Sequence, residues 1–186
     1  MKKIVVPLAE GFEEIEAVSI VDVLRRANIE TLTVSISDQK EVSGAHGIPI
    51  VADKLFDETD FNAFDMIVLP GGMPGTTNLK NHSGLADQII NYHKEGKLLG
   101  AICAAPLVFG NLNILKNEKA TCFPGFEDQL TGAQVTGNEV EVSGKIITGK
   151  GAGVAIRFAL KIVEILKGKV FADELAKKMI VQADEN

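Results

Sequence analysis

The chain has 186 residues, which fits one domain spanning 1–186, and its 46% apolar content can build a core without disulfide staples. Nineteen Lys and Arg stand against 25 Asp and Glu, and the net charge of −6 argues against nucleic acid or anionic membrane as the main partner. The first residues carry too short an apolar run for a signal peptide, and the longest apolar stretch, residues 98–110, is shorter than a membrane span. With two cysteines and no disulfide framework, the expected address is cytoplasmic.

Short Val/Ile-rich runs alternate with helical patterns. Residues 4–8 read as a strand, 13–27 as a helix and 31–36 as a second strand. Residues 42–51 look like two short strands around Gly44-Ala45-His46-Gly47. A buried strand at 65–69 runs into Pro70-Gly71-Gly72. Ser83 caps a helix reaching about Glu95, with Gly96 as its stop. Residues 98–102 form another buried strand, and a helix is expected just after Cys103. A short strand covers 119–122. Residues 140–142 and 145–148 make a hairpin around Ser143-Gly144. Helices at 152–166 and 171–179 close the chain. This alternation predicts an α/β fold with a mostly parallel sheet and helices on both faces.

The strand at 98–102 feeds directly into Cys103-Ala104-Ala105-Pro106. A nucleophile on a sharp strand-to-helix turn needs small neighbours, and Gly100, Ala101, Ala104 and Ala105 supply them. Pro106 suits the first turn of a helix. A helix start beside the sulfur is expected to lower the thiol pKa and so favour the reactive thiolate. Ligands in open α/β sheets also bind beyond the carboxyl ends of strands. A buried structural cysteine is the other reading of the same residues.

Winding residues 13–27 as a helix puts Ser19, Asp22, Arg25 and Arg26 on one face. Ala17, Ile20, Val21, Val23, Leu24 and Ala27 define the opposite arc, and Glu16 falls inside it. A carboxyl group buried there is expected to have a raised pKa and to serve as a hydrogen-bond donor or acid–base group. The alternative is a half-exposed Glu at the start of the helix. Glu13 shares the arc, but it sits in the first turn, where a carboxylate suits the helix dipole.

Gly71-Gly72 lets backbone amides approach a ligand, so the amides of Gly72 and Ala104 can form an oxyanion site. A plain tight turn is the other reading. Residues 149–153, Gly-Lys-Gly-Ala-Gly, come too late and lack the following acidic residue of a nucleotide loop, so close helix–sheet packing is their expected role. His46, His82 and His93 show no metal-ligand spacing, so no metal is assigned. Cys122 is expected to be buried and inert.

At Ala101-Ile102-Cys103-Ala104-Ala105-Pro106 the chain resembles the ThiJ/PfpI family, and its deglycase group in particular. Gly11-Phe12-Glu13-Glu14-Ile15-Glu16 is similar to the family's glutamate motif, and Leu69-Pro70-Gly71-Gly72 to its glycine turn. Gly151-Ala152-Gly153 followed by Phe158-Ala159-Leu160 is similar to its late helix start. The four segments lie in order across nearly the whole chain. The resemblance implies a flavodoxin-like three-layer sandwich and a homodimer. It implies Cys103 as the oxidisable nucleophile and Glu16 as its carboxyl partner, with the Gly72 and Ala104 amides holding an oxyanion.

Many relatives carry a histidine where this chain has Phe123, and no histidine follows Cys103. A Cys-His dyad is therefore not expected within one chain. The activity implied is a cofactor-independent deglycase or glyoxalase-type hydrolase acting on methylglyoxal-derived carbonyls of small molecules, proteins or nucleotides, protective against oxidative stress. Two alternatives are a redox-sensing chaperone and a cysteine peptidase or amidase. The peptidase would need a base from His46 or a partner subunit.

Overall fold

The computed structural model describes residues 2–182. In β1 (Lys3–Leu8) five consecutive residues are buried, the pattern of a strand covered on both faces. α1 (Glu14–Arg26) connects it to β2 (Glu30–Ser35), and the two strands pair in parallel. β3 (Glu41–Ser43) and β4 (Pro49–Val51) form the small antiparallel hairpin expected at 42–51. β5 (Lys54–Leu55) adds a short parallel edge against β2.

β6 (Met66–Leu69) is followed by α2 (Gly75–Asn81), α3 (Ser83–Lys94), β7 (Leu98–Ile102) and α4 (Pro106–Asn111). β8 (Lys119–Ala120) and β9 (Gln134–Val135) pair with each other as a separate two-stranded sheet beside β10. The predicted hairpin is β10 (Val140–Ser143) and β11 (Ile146–Gly149). α5 (Ala155–Lys167) and α6 (Lys169–Lys178) follow.

The main sheet runs β10-β11-β7-β6-β1-β2-β5. Every neighbouring pair is parallel except β10–β11, so the architecture is the mostly parallel, flavodoxin-like α/β sandwich expected. Alternate side chains on one strand point to opposite faces. Ile4, Val6 and Leu8 of β1 accordingly pack with α1, α5 and α6, whereas Val5 joins the core beneath α2, α3 and α4. Among the described residues no helix is long and apolar enough to cross a membrane.

Two local expectations are corrected. The helix after Cys103 does not begin at once: Cys103–Ala105 form a turn, and α4 starts at Pro106 and lasts six residues. α2 is a helix that the sequence did not suggest, because its opening Pro74-Gly75-Thr76 resembles a turn. Gly75 is needed there, since a Cβ on it would lie 2.6 Å from the Phe12 amide nitrogen.

Candidate active site

The chain leaves β1 toward β2 on one side and builds β6 and β7 on the other, so the topology reverses between β1 and β6. Crevices form at such points beyond the carboxyl ends of the strands. Three segments meet there: the first turn of α1, the glycine pair after β6, and the elbow after β7. They bring together Glu16, Gly72, Cys103 and Ala104, the four residues singled out in the sequence.

Cys103 has φ = 63°, the left-handed region that a residue with a Cβ rarely occupies. Such backbone persists only when its surroundings fix it. The Cys103 amide donates to the Gly149 carbonyl at 2.9 Å, and its carbonyl accepts from the Phe123 amide at 2.8 Å. The Ala104 and Gly72 amides lie beside the thiol and favour its ionised form. The side chain is part-exposed, so the sulfur is open to a ligand.

Glu16 is completely buried. Its Oε2 accepts from the Gly71 amide at 2.7 Å, while Oε1 has no hydrogen-bond partner of ordinary geometry. The carboxyl lies against the Cys103 thiol. Burial pushes Glu16 up to about 7. The Gly71 amide and the thiol oppose the rise, and the charge of Glu13 adds to it. Burial also pushes the Cys103 thiol up, and with the Glu16 carboxylate beside it the value reaches about 12 against the pull of the Ala104 and Gly72 amides.

The expectation of a thiol lowered by a helix end is therefore corrected. Burial and the Glu16 carboxylate outweigh the amides beside the sulfur. The two acids instead compete for one proton. When Glu16 holds the charge, the thiol keeps its proton. When Glu16 is protonated, its repulsion is gone, its O–H can donate to sulfur, and the two amides favour the thiolate.

Gly71 is a site residue that the sequence reading passed over in favour of Gly72. A Cβ on Gly71 would lie 2.7 Å from Cys103 Cβ and 2.9 Å from Glu16 Oε2. The doubled glycine was the available signal. Gly72 has φ = 89°, and a Cβ there would collide with the Glu13 amide. One glycine admits the dyad, and the other turns the chain so that its amide faces sulfur.

A second carboxyl group, Glu14, was not singled out and is also buried. It accepts from the His46 amide at 2.8 Å and the Ile48 amide at 3.3 Å, and it pairs with His46 Nδ1 at 2.9 Å. Burial alone would raise it. The His46 ring and the surrounding amides outweigh that and hold it at about 2. Glu13, Glu14 and His46 are the described side chains closest to a metal-ligand arrangement, with ligand atoms within 4.8 Å of one another. The hydrogen bonds of Glu14 already account for the cluster.

His46 is thus directed to Glu14 and Glu13, not to Cys103. His82 Nδ1 accepts from the Leu85 amide, and His93 lies near the end of α3. Cys122 is buried, and burial pushes its thiol up to about 11. Gly149 packs between Ile102 and Phe158, each 2.9 Å from where its Cβ would stand, a close helix–sheet contact.

The model for the DJ-1/PfpI family matches residues 2–165. The chain is 39% identical over 183 residues to Arabidopsis thaliana protein DJ-1 homolog B, covering 97% of this chain and 42% of that protein, so it spans less than half of that relative's length. It is 36% identical over 172 residues to the Caenorhabditis elegans protein named glutathione-independent glyoxalase DJR-1.2, covering 91% of each. The solved structure of oxidized Toxoplasma gondii DJ-1 superposes with a TM-score of 0.95 at 38% identity, covering 98% of this chain and all of that one.

Proposed function

The chain belongs to the DJ-1/PfpI family, and on that premise we propose that it is a cofactor-independent, cysteine-dependent glyoxalase or deglycase acting on methylglyoxal and its carbonyl adducts on proteins and nucleotides. The observation that carries this reading is the part-exposed Cys103 thiol lying against a fully buried carboxyl group, with the Gly72 and Ala104 amides beside it. The name of the Caenorhabditis elegans relative supports it.

The Cys103 thiolate attacks the aldehyde carbon, the C=O electron pair moves to oxygen, and the alkoxide takes a proton to give a hemithioacetal. Glu16 then removes the proton from that carbon and returns it to the neighbouring carbon. The product is a lactoyl thioester on Cys103. Water hydrolyses it to lactate and restores the thiol, so one methylglyoxal and one water yield one lactate. The Gly72 and Ala104 amides stabilise the oxyanion beside sulfur.

The test is lactate formation from methylglyoxal, followed against a Cys103→Ser control. Turnover no faster than the control overturns the reading.

The part-exposed thiol between two amides also favours a redox role, because those amides suit a sulfinate oxygen. The oxidized state of the Toxoplasma gondii relative supports it. Mild peroxide followed by mass spectrometry is expected to modify Cys103 well before Cys122, and equal modification speaks against this role.

A peptidase is disfavoured, since His46 is bound to Glu14. We also propose a homodimer through the exposed Ile15 and Val18 of α1 and Ile48 and Val51 of the β3–β4 hairpin. A monomer in analytical ultracentrifugation overturns that. We propose one domain over 1–186 and a cytosolic address, where reducing surroundings keep Cys103 available.

A further inference from the structure

One aromatic residue hydrogen-bonded to the Cys103 elbow, Phe123, packs in neither core and is 48% exposed. Its backbone is nevertheless fixed to the nucleophile. The Phe123 amide donates to the Cys103 carbonyl at 2.8 Å, and its own carbonyl accepts from the Phe126 amide at 3.2 Å.

The ring lies against Gly151, where a Cβ would stand 3.3 Å from Phe123 Cδ2. Gly151 is two residues beyond Gly149, whose carbonyl binds the Cys103 amide. Ring and sulfur are therefore mounted on the same short stretches of backbone. A single exposed aromatic is ordinary on a protein surface, but this one is joined by its backbone to the loop that carries the part-exposed Cys103.

We propose that Phe123 is a specificity-determining residue, an aromatic wall that favours 2-oxoaldehydes carrying an aryl or bulky apolar group over methylglyoxal. The inference rests on the glyoxalase reading of the Cys103 site for its substrate class. An aryl substituent on the ketone carbon stacks against the ring while Sγ bonds to the aldehyde carbon. Methylglyoxal has no surface to offer it. Aromatic pairs of this kind are worth roughly threefold to tenfold in binding beyond the area they cover.

The experiment measures kcat and KM for phenylglyoxal and methylglyoxal in the wild type, Phe123→Ala, Phe123→Leu and Phe123→Tyr. The ratio of kcat/KM for phenylglyoxal to that for methylglyoxal is expected to fall about tenfold in the Ala and Leu variants. The loss should lie in KM for phenylglyoxal, and Tyr should retain the ratio. An unchanged ratio, or an equal fall for both aldehydes, overturns the proposal.

A parallel measurement needs no turnover. The rates at which phenacyl bromide and bromoacetone alkylate Cys103 are compared by intact mass, each reaction forming an S–C bond and releasing bromide. The aryl preference should drop in Phe123→Ala and persist in Phe123→Tyr. If the wild type turns over neither aldehyde, the enzyme reading fails alone, and the alkylation ratio still decides whether Phe123 forms the wall.

Discussion

Glu14 and Glu16 lie two residues apart on one turn of α1, both buried, and the fold treats them in opposite ways. Glu14 is held at about 2 and Glu16 is raised to about 7. Burial raises both, and raises Glu16 more because it lies deeper. The supply of donors widens the gap: Glu14 has two amides of the β3–β4 hairpin and an imidazole, whereas Glu16 has one amide and a thiol. The first carboxylate holds a hairpin in place. The second is kept short of partners, and a proton is what it lacks.

Activity separates the two most strongly. Glu16→Gln removes the proton carrier and is expected to lower kcat/KM for methylglyoxal about a hundredfold, within the range of acid–base catalysis. Glu14→Gln is expected to stay within about threefold. Equal losses in steady-state assays would erase the distinction.

Stability should split with opposite signs. A carboxyl raised from 4.5 to about 7 costs about 3 kcal/mol of folding free energy above pH 7, and nothing below about pH 4.5, where it is protonated in both states. Glu16→Gln is therefore expected to stabilise the protein at pH 8, with the gain fading as pH falls through 7 to 4.5. Glu14 is the reverse case. Its lowered pKa contributes about 2 kcal/mol above pH 4.5, allowing for screening by water at the exposed His46, and this is lost between 4.5 and 2. Glu14→Gln should destabilise at pH 7 by about that amount. Urea titrations of both variants across this pH range check the two signs.

Two smaller effects sharpen the picture. The ultraviolet absorbance of the Cys103 thiolate should rise only well above pH 7 in the wild type, and at lower pH in Glu16→Gln, where the neighbouring carboxylate is gone; an unchanged profile would refute the coupling. The Glu14 hydrogen bond also raises His46 above its ordinary 6.5, so its imidazole resonance should titrate lower in Glu14→Gln.

Glu16 was legible in the sequence because its burial follows from local geometry: a polar residue inside the apolar arc of an amphipathic helix. Glu14 was not, because its cover comes from a hairpin that folds over α1 from some thirty residues away. The parallel sheet was legible from its strand–helix alternation, and Cys103 from the small residues around an abrupt strand end. β5 escaped because two residues carry no periodicity. The proton balance at the thiol was misread, since it depends on a carboxyl brought in from another element and not on the helix that follows.

Cys103 depends on the Gly149 carbonyl for its amide bond and on the Phe123 amide at its carbonyl. Both lie later in the chain. As the polypeptide emerges from the ribosome, the cysteine is made well before the residues that fix its backbone. The turn that holds Cys103 is therefore completed only once β11 is in place.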